Sequence, residues 1–169
     1  QYVFYCPVIL FFWKIYNREV MKKVIILGST GTIGVNTLNV IRRNLEKFSV
    51  YAISADRNID LIVKQIEEFN PKFVVINNDN AYKSLKCKLN LNNTKILKGN
   101  NGIKTILQAE EVDIVVSAIS GIAGVYPTYE AVKAGKVIAL ANKESLVSAG
   151  DLIVEEVKSK KAKIIPVDS

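Results

Sequence analysis

Short runs of β-branched and other apolar residues alternate with longer amphipathic stretches from Met21 to the end of this 169-residue chain. Runs such as Val24–Leu27 and Ile114–Val116 are continuously apolar, which is typical of strands that are buried on both faces. A chain of this length can bury one ordinary core. The predicted strands are Lys23–Leu27, Ser49–Ser54, Phe73–Ile76, Lys95–Leu97, Ile114–Ala118, Val137–Leu140 and Lys163–Val167.

Helical patterns lie between several of these strands. Apolar residues recur three and four positions apart in three stretches, Asn36–Leu45, Ile59–Phe69 and Glu144–Lys158. Pro71 stops the second helix, and Asn90–Asn93 and Gly99–Gly102 have the composition of loops. Because strands and helices alternate, we expect one α/β domain over residues 21–169. Its sheet is predicted to be doubly wound, mostly parallel and of Rossmann type, with helices on both faces.

Residues 1–20 do not match this pattern. Their apolar run, Val3–Trp13, is broken by Pro7 and is too short to span a bilayer as a helix. No basic residues precede it, as they would in a signal peptide. Met21 is followed by two lysines and a strand, as at a natural start. We therefore expect residues 1–20 to be upstream-translated or added sequence or the tail of a leader, with a cleaved organelle-targeting leader as the alternative.

The amino-acid composition excludes several classes of functional site. The chain has no histidine, which excludes a Ser-His-Asp triad, a His-ligated zinc site and a histidine general base within it. Cys6 and Cys87 lack CxxC spacing, so neither a disulfide framework nor a metal knuckle is predicted. The net charge of +7 is consistent with an anionic ligand and equally consistent with lysines scattered over the surface. Without a block of like charges we expect no nucleic-acid partner, and we expect no membrane partner.

A glycine-rich segment, Gly28-Ser-Thr-Gly31-Thr-Ile-Gly34, follows the first strand and opens the first helix. Glycines permit a tight turn with positive φ, and they let backbone N–H groups approach an anion closely. The helix amino terminus adds its dipole, and the last glycine eases close packing of the helix. In this strand–loop–helix context the GxxGxxG spacing predicts a site for a dinucleotide pyrophosphate, whereas glycines in a plain turn are the alternative.

The second strand ends at Asp56-Arg57-Asn58, where a dinucleotide-binding sheet reads the adenosine ribose. Asp56 would accept hydrogen bonds from a free 2′-hydroxyl, which favours NAD. Arg57 would pair with a 2′-phosphate, which favours NADP. An ordinary turn with a solvated arginine is the third interpretation, and the residues alone do not decide between them.

Polar residues also follow two later strands. Asn142-Lys143-Glu144 comes directly after Leu140, at the carboxyl edge of the sheet, where open α/β folds bind ligands. Asn142 suits a helix N-cap and Glu144 suits the first helical turn, so capping accounts for both. Lys143 has no capping role and is the better functional candidate. Asp168 ends the last predicted strand, where it suits either a hard divalent cation or a simple turn.

Three ordered motifs make the chain similar to a known family. They are Gly28–Gly34, Ile138–Gly150 and Pro166–Ser169, and the segment Ser117–Thr128 is also in pattern. On these motifs the chain resembles the 1-deoxy-D-xylulose 5-phosphate reductoisomerase family from Met21 to Ser169. The resemblance implies an NADPH-dependent rearrangement and reduction of 1-deoxy-D-xylulose 5-phosphate to 2-C-methyl-D-erythritol 4-phosphate, a step of non-mevalonate isoprenoid biosynthesis. It also implies Mg²⁺ or Mn²⁺ as the metal that holds the substrate oxygens.

The resemblance also implies roles for individual residues. Contacts to the cofactor are implied for Gly28, Thr30, Gly31, Thr32, Ile33, Asp56, Arg57, Asn58, Asn142 and Glu144. Lys143 and Ser169 would touch the substrate, Asp168 would be the first metal ligand, and Lys143 and Asp168 are the catalytic candidates. The family usually has a small residue where this chain has Asp56, whose carboxylate would repel a 2′-phosphate; Arg57 and the family likeness nevertheless favour NADP.

The family pattern continues from Asp-Ser into Glu-His, whereas this chain ends at Ser169. We therefore expect the metal site to be incomplete here and the chain alone to be inactive. We expect a homodimer and a bacterial cytoplasmic location for the full-length protein, or a plastid-type organelle if residues 1–20 belong to a leader. The alternatives are another NADP-dependent reductase, of semialdehyde-dehydrogenase type, and a non-catalytic dinucleotide-binding module.

Overall fold

A computed structural model describes residues 21–88, 93–160 and 162–167. The described strands form one parallel sheet in the order β4–β3–β2–β1–β5–β6–β7. Each strand lies within one residue of its predicted bounds, so the predicted sheet is confirmed. The strands are β1 Lys22–Leu27, β2 Phe48–Ala55, β3 Phe73–Ile76, β4 Lys95–Lys98, β5 Ile114–Ser117, β6 Val137–Leu140 and β7 Lys163–Pro166.

Helices cover both faces of this sheet, as predicted. The described helices are α1 Thr32–Arg42, α2 Ile59–Phe69, α3 Asp79–Lys88, α4 Gly99–Leu107, α5 Val125–Lys133 and α6 Lys143–Lys160, with a short 3₁₀ turn at Ile122–Gly124. Along β1, Val24 and Ile26 pack with α1, α2 and α3 on one face, whereas Ile25 and Leu27 pack with α4, α5 and α6 on the other. All four side chains are fully buried, which is why the strand is continuously apolar.

The strand order places a topological switch point between β1 and β5. The chain builds β2, β3 and β4 on one side of β1 and then crosses to build β5, β6 and β7 on the other. Because all strands are parallel, the loops that follow β2, β1 and β5 emerge side by side at the carboxyl edge of the sheet. Open α/β sheets bind ligands at such a point.

The predicted bounds of the first helix are wrong at both ends. Helix α1 begins at Thr32 and ends at Arg42, so Leu45 lies beyond it and is 57% exposed rather than part of the apolar stripe. The Asn44 side chain donates to the Val40 carbonyl at 2.8 Å, and the backbone N–H groups of Lys47 and Phe48 donate to the Asn44 carbonyl. These bonds turn the chain away from the helix axis before Leu45.

The predicted loop at Gly99–Gly102 is also wrong, because these residues form the first turn of α4. A Cβ atom on Gly102 would lie 2.9 Å from Leu97 Cβ and 2.9 Å from Val75 Cγ1. Gly102 is therefore a site of close helix-on-sheet packing rather than a turn residue. Residues 90–92 of the other predicted loop lie outside the described residues, as do residues 1–20. No helix in the described ranges is long and apolar enough to cross a membrane.

Candidate functional site

The loop after β1 requires glycine at its first position. Gly28 has a φ of 82°, in the left-handed region, and a Cβ atom there would lie 2.8 Å from the Ala118 carbonyl oxygen. The loop therefore passes close to the backbone that follows β5. The Gly31 N–H donates to the Gly28 carbonyl at 3.1 Å and closes a tight turn directly before α1. Both features agree with the predicted strand–loop–helix arrangement.

Helix α1 begins with its first-turn N–H groups turned toward this edge of the sheet. Gly31 is the N-cap residue, no side chain caps the helix, and no acidic residue lies in the first turn. The N–H groups of Thr32 and Ile33 therefore have no acceptor inside the helix. Gly34 allows the helix to start this close to the loop, because a Cβ atom on it would lie 2.3 Å from the Gly28 carbonyl oxygen. Its close contact is with the loop, not with the sheet.

The turn after β2 carries the charged groups of the site. The Nε atom of Arg57 lies 3.1 Å from Oδ2 of Asp56, and their side chains are 77% and 57% exposed. Asn58 follows as the N-cap of α2, where its Oδ1 accepts a hydrogen bond from the Leu61 N–H at 3.2 Å. The helix thus starts immediately after the two charged residues and fixes where their backbone lies.

The third side of the site is the segment that follows β5. Ile122 is 80% exposed and Tyr126 is 37% exposed, so apolar surface faces the solvent here. Asn142 lies behind this segment, 6% exposed, and its Nδ2 donates to the carbonyls of Ile119 at 2.7 Å and Gly121 at 2.8 Å. The predicted role of Asn142 beside the cofactor remains a prediction; its observed bonds hold the segment that borders the site.

These three segments enclose an open groove of about 730 Å³ at the carboxyl edge. Asp56 and Arg57 supply the charged side chains among the described lining residues, and the remainder are polar or apolar. The groove is lined by Gly28, Thr30, Gly31, Ser54, Ala55, Asp56, Arg57, Val75, Asn77, Gly99, Asn100, Ile103, Ala118, Ile119, Ser120, Ile122, Ala123, Tyr126 and Pro127.

The groove brings together part of the predicted site. Gly28, Thr30, Gly31, Asp56 and Arg57 line it, Thr32 and Ile33 form the adjoining helical turn, and Asn58 and Asn142 border its ends. Helix α6 begins at Lys143, but the side chains of Lys143 and Glu144 lie outside the described residues, as do Asp168 and Ser169 entirely. The predicted roles of these four residues therefore stay predictions.

The sequence did not predict the wall formed by the residue after β3, the start of α4 and the segment after β5. Asn77, Asn100 and Ser120 line the groove without having been assigned a role. A usable signal existed only for Ser120, because it belongs to a segment that matched the family pattern. In the described part of the chain, no three Asp, Glu, Cys or His residues lie close enough together to hold a metal ion.

Comparison with known proteins gives one consistent result. The family model for 1-deoxy-D-xylulose 5-phosphate reductoisomerase matches residues 24–150. The enzyme of that name from Thermodesulfovibrio yellowstonii is 51% identical over 149 residues, which are 88% of this chain and 39% of that protein. The enzyme from Geotalea uraniireducens is 49% identical over the same shares. The chain thus spans about two fifths of the length of these curated relatives.

Solved structures agree with the sequence comparison. The 1-deoxy-D-xylulose 5-phosphate reductoisomerase of Zymomonas mobilis, in complex with NADPH, superposes with a TM-score of 0.83 and 37% identity, covering 89% of this chain and 39% of that one. A reductoisomerase of the same kind in complex with magnesium gives 0.84 and 39%, covering 89% and 38%. A biliverdin reductase from Synechocystis, 14% identical with a TM-score of 0.58, covering 85% of this chain and 37% of that one, shares the fold alone.

Proposed function

The chain belongs to the 1-deoxy-D-xylulose 5-phosphate reductoisomerase family, and from this premise we propose that residues 21–169 form its NADPH-binding domain. One observation carries the proposal. The glycine loop after β1 lies between the charged turn after β2 and the apolar segment after β5, in one groove. A dinucleotide has the same order, with its anionic pyrophosphate between an adenosine and a nicotinamide.

The glycine loop and the first turn of α1 would hold the pyrophosphate. The Thr32 and Ile33 N–H groups would donate to its oxygens, and the helix dipole would favour the negative charge. Thr30 and Gly31 line the groove beside them, and Gly31 lets the phosphates approach the backbone. The uncapped helix terminus and the close loop packing at Gly28 and Gly34 both fit this ligand.

The turn after β2 would read the adenosine end. Arg57 is exposed and lines the groove, so its guanidinium can bind a 2′-phosphate in a bidentate manner. Asp56 would repel that phosphate and accept from a 2′-hydroxyl instead. We assign the preference to NADPH, because a charge-assisted pair with Arg57 outweighs repulsion between two exposed anions.

The segment after β5 would receive the nicotinamide half. NADPH supplies the hydride for reduction. Ile122 and Tyr126 present apolar surface that would exclude water from this end of the groove, and Asn142 holds their segment in place. Glu144 is proposed to lie near the nicotinamide, and Lys143 is proposed to contact the substrate.

The reaction itself is proposed for the protein as a whole, since the chain spans only about two fifths of its relatives. It is the conversion of 1-deoxy-D-xylulose 5-phosphate to 2-C-methyl-D-erythritol 4-phosphate, with a phosphorylated sugar as substrate. Relatives solved with fosmidomycin support a substrate of this kind. A homodimer and a bacterial cytoplasmic location are proposed with it.

The described residues do not by themselves fit a magnesium or manganese site. They contain no cluster of three metal-ligating residues, and Asp168, the proposed first ligand, lies outside them together with Ser169, proposed to contact the substrate. The alternative assignment to a semialdehyde-dehydrogenase-type reductase is not favoured, because the matched family is a different one.

The direct test is a titration of the chain with NADPH, followed by nicotinamide fluorescence or calorimetry, beside the variants Gly31→Ala and Gly150→Ala. Gly31 has a φ of −81° and its added Cβ would meet nothing nearer than 3.5 Å, so Gly31→Ala should fold normally. Its methyl group would block phosphate approach and weaken binding by about tenfold or more. Gly150 faces open space and Gly150→Ala should bind like the parent. A parent chain that does not bind NADPH would refute the proposal.

A further inference from the structure

A buried polar network lies beneath the glycine loop. Ser29 is fully buried, Ser54 is 4% exposed and Gln65 is 5% exposed. The Ser29 hydroxyl donates to Gln65 Oε1 at 2.7 Å, and Gln65 Nε2 donates back to the Ser29 carbonyl at 2.9 Å. The two residues are 36 positions apart in sequence and belong to the loop and to helix α2.

Gln65 lies among apolar neighbours on its own helix. Ile62 and Ile66, on the buried side of α2, are 0% and 2% exposed and belong to the core. Burying a carboxamide there is costly unless both its oxygen and its nitrogen are hydrogen-bonded. Both are bonded to a single residue, Ser29. The side chain thus serves the loop rather than the packing of the helix.

The network fixes the polar groups of the first two loop residues. The Ser29 N–H donates to the Ser54 carbonyl at 2.8 Å, and the Gly28 N–H donates to Ser54 Oγ at 3.0 Å. With the Ser29 carbonyl and hydroxyl held by Gln65, the loop start is anchored on the β2 and α2 side. The next residues, Thr30 to Ile33, then leave this anchor in a set direction toward the groove.

Helix α2 therefore adjoins both the charged turn after β2 and the glycine loop. Its N-cap, Asn58, directly follows Arg57, and about two turns later the helix presents Gln65 to the loop. We propose that Gln65 is a positioning residue for the dinucleotide, holding Ser29 so that the N–H groups of Thr32 and Ile33 meet the pyrophosphate. This inference rests on the proposed NADPH site.

Two substitutions test this role in the full chain. Gln65→Met keeps the length of the side chain and removes both hydrogen bonds. Gln65→Glu keeps the acceptor for the Ser29 hydroxyl, and only its protonated form can donate to the Ser29 carbonyl. Because burial raises the pKa of a carboxyl group, the fraction of molecules that carry this donor is largest at about pH 5 and falls toward about pH 8. Gln108→Glu, the same change at an exposed residue after α4, is the matched control.

The probes are NADPH and adenosine 2′-monophosphate, which carries the 2′-phosphate but no pyrophosphate. Gln65→Met should bind NADPH about tenfold or more weakly than the parent, with adenosine 2′-monophosphate binding within about twofold. The NADPH affinity of Gln65→Glu, divided by that of the parent, should fall by about tenfold from pH 5 to pH 8. Gln108→Glu should show no such fall.

Three results would overturn the role of Gln65. They are unchanged NADPH binding in both variants, a parent-normalised affinity of Gln65→Glu that is constant with pH, and equal losses for both probes, which mark general destabilisation. Failure of the proposed function itself looks different, because the parent and Gln108→Glu would then also fail to bind NADPH.

Discussion

The guanidinium of Arg57 lies 3.1 Å from the carboxylate of Asp56 at the end of the groove where β2 terminates. The two residues are adjacent in sequence and both are largely exposed, so the pair is screened by water and contributes little to stability. A bound 2′-phosphate would compete with Asp56 for the same guanidinium. In the proposed function, the preference between NADPH and NADH would therefore depend on two neighbouring residues of opposite charge.

Arg57→Ala should weaken NADPH binding and leave NADH binding nearly unchanged, because NADH has no 2′-phosphate. A charge-assisted contact of this kind contributes about 1.5–3 kcal/mol, which corresponds to roughly tenfold or more in affinity. Calorimetric titration of both cofactors measures the change. Arg43→Ala is the control, since Arg43 is exposed and lies beyond the far end of α1 from the loop. Equal losses for both cofactors would contradict this role of Arg57.

Asp56→Asn should have the opposite effect on NADPH. Removing the carboxylate frees the guanidinium and eliminates repulsion of the 2′-phosphate, so the NADPH dissociation constant should fall by about threefold at low salt. NADH should bind more weakly, because the 2′-hydroxyl loses an ionised acceptor. The increase in NADPH affinity should become smaller as salt is added. An increase that does not depend on salt would argue against an electrostatic cause.

Gly34→Ala should strongly destabilise the fold, since its Cβ atom would lie 2.3 Å from the Gly28 carbonyl oxygen and 2.5 Å from Ser29 Cα. Backbone atoms cannot move aside as flexible side chains do. We therefore expect the free energy of unfolding to fall by about 3 kcal/mol or more. Gly150→Ala, in α6 with open space around it, should stabilise by about 0.5–1 kcal/mol. Urea unfolding of both variants gives the comparison, and similar midpoints would contradict the packing described for the loop.

Stability in acid should depend on Glu111, at the opposite edge of the sheet from the groove. Hydrogen bonds from Lys23, then Lys72 and then Tyr51, lower the pKa of Glu111 to about 2. A folded-state pKa below the unfolded value means that this carboxylate stabilises the fold above about pH 4.3. Its contribution is lost as the pH falls toward about 2.

Urea unfolding of the parent and Glu111→Gln between about pH 3 and pH 6 measures this contribution. The difference in unfolding free energy between them should shrink as the pH is lowered. Glu110→Gln, which removes the neighbouring exposed carboxylate and leaves the hydrogen bonds of Glu111 in place, is the matched control. A Glu111→Gln difference that does not vary with pH would show that the lysine contacts are not formed in solution.

The sheet was predictable because its inner strands are buried on both faces. Continuous apolar runs mark such strands without reference to their partners, and the glycine loop then identified β1 and the start of α1. Helices α3 and α5 were missed, and the first turn of α4, Gly99–Gly102, was predicted to be a loop. Gly99 and Gly102 have the composition of a turn, whereas the close contacts of Gly102 with Leu97 and Val75 explain why glycine is present.

The position of the groove was predictable where the backbone determines it and not where distant side chains do. Gly28 and Arg57 could be placed at the carboxyl edge from their positions after strands, and their contacts with a cofactor stay predictions. In the sequence, Gln65 cannot be distinguished from any other polar residue of an amphipathic helix, because its partner Ser29 is 36 residues away. Asn142 was predicted to cap a helix or contact the cofactor, and its bonds to Ile119 and Gly121 depend on the pairing of β5 with β6.

Backbone amide NMR shifts during an NADPH titration would show whether the groove binds NADPH through the glycine loop. The amides of Gly31, Thr32, Ile33 and Arg57 should shift together with one dissociation constant, while those of Lys72 and Glu111 at the opposite edge should stay unperturbed. NADH should shift the loop amides with little effect on Arg57. If the loop amides do not shift at saturating NADPH, or if the shifts are centred on the opposite edge, NADPH does not bind in this groove.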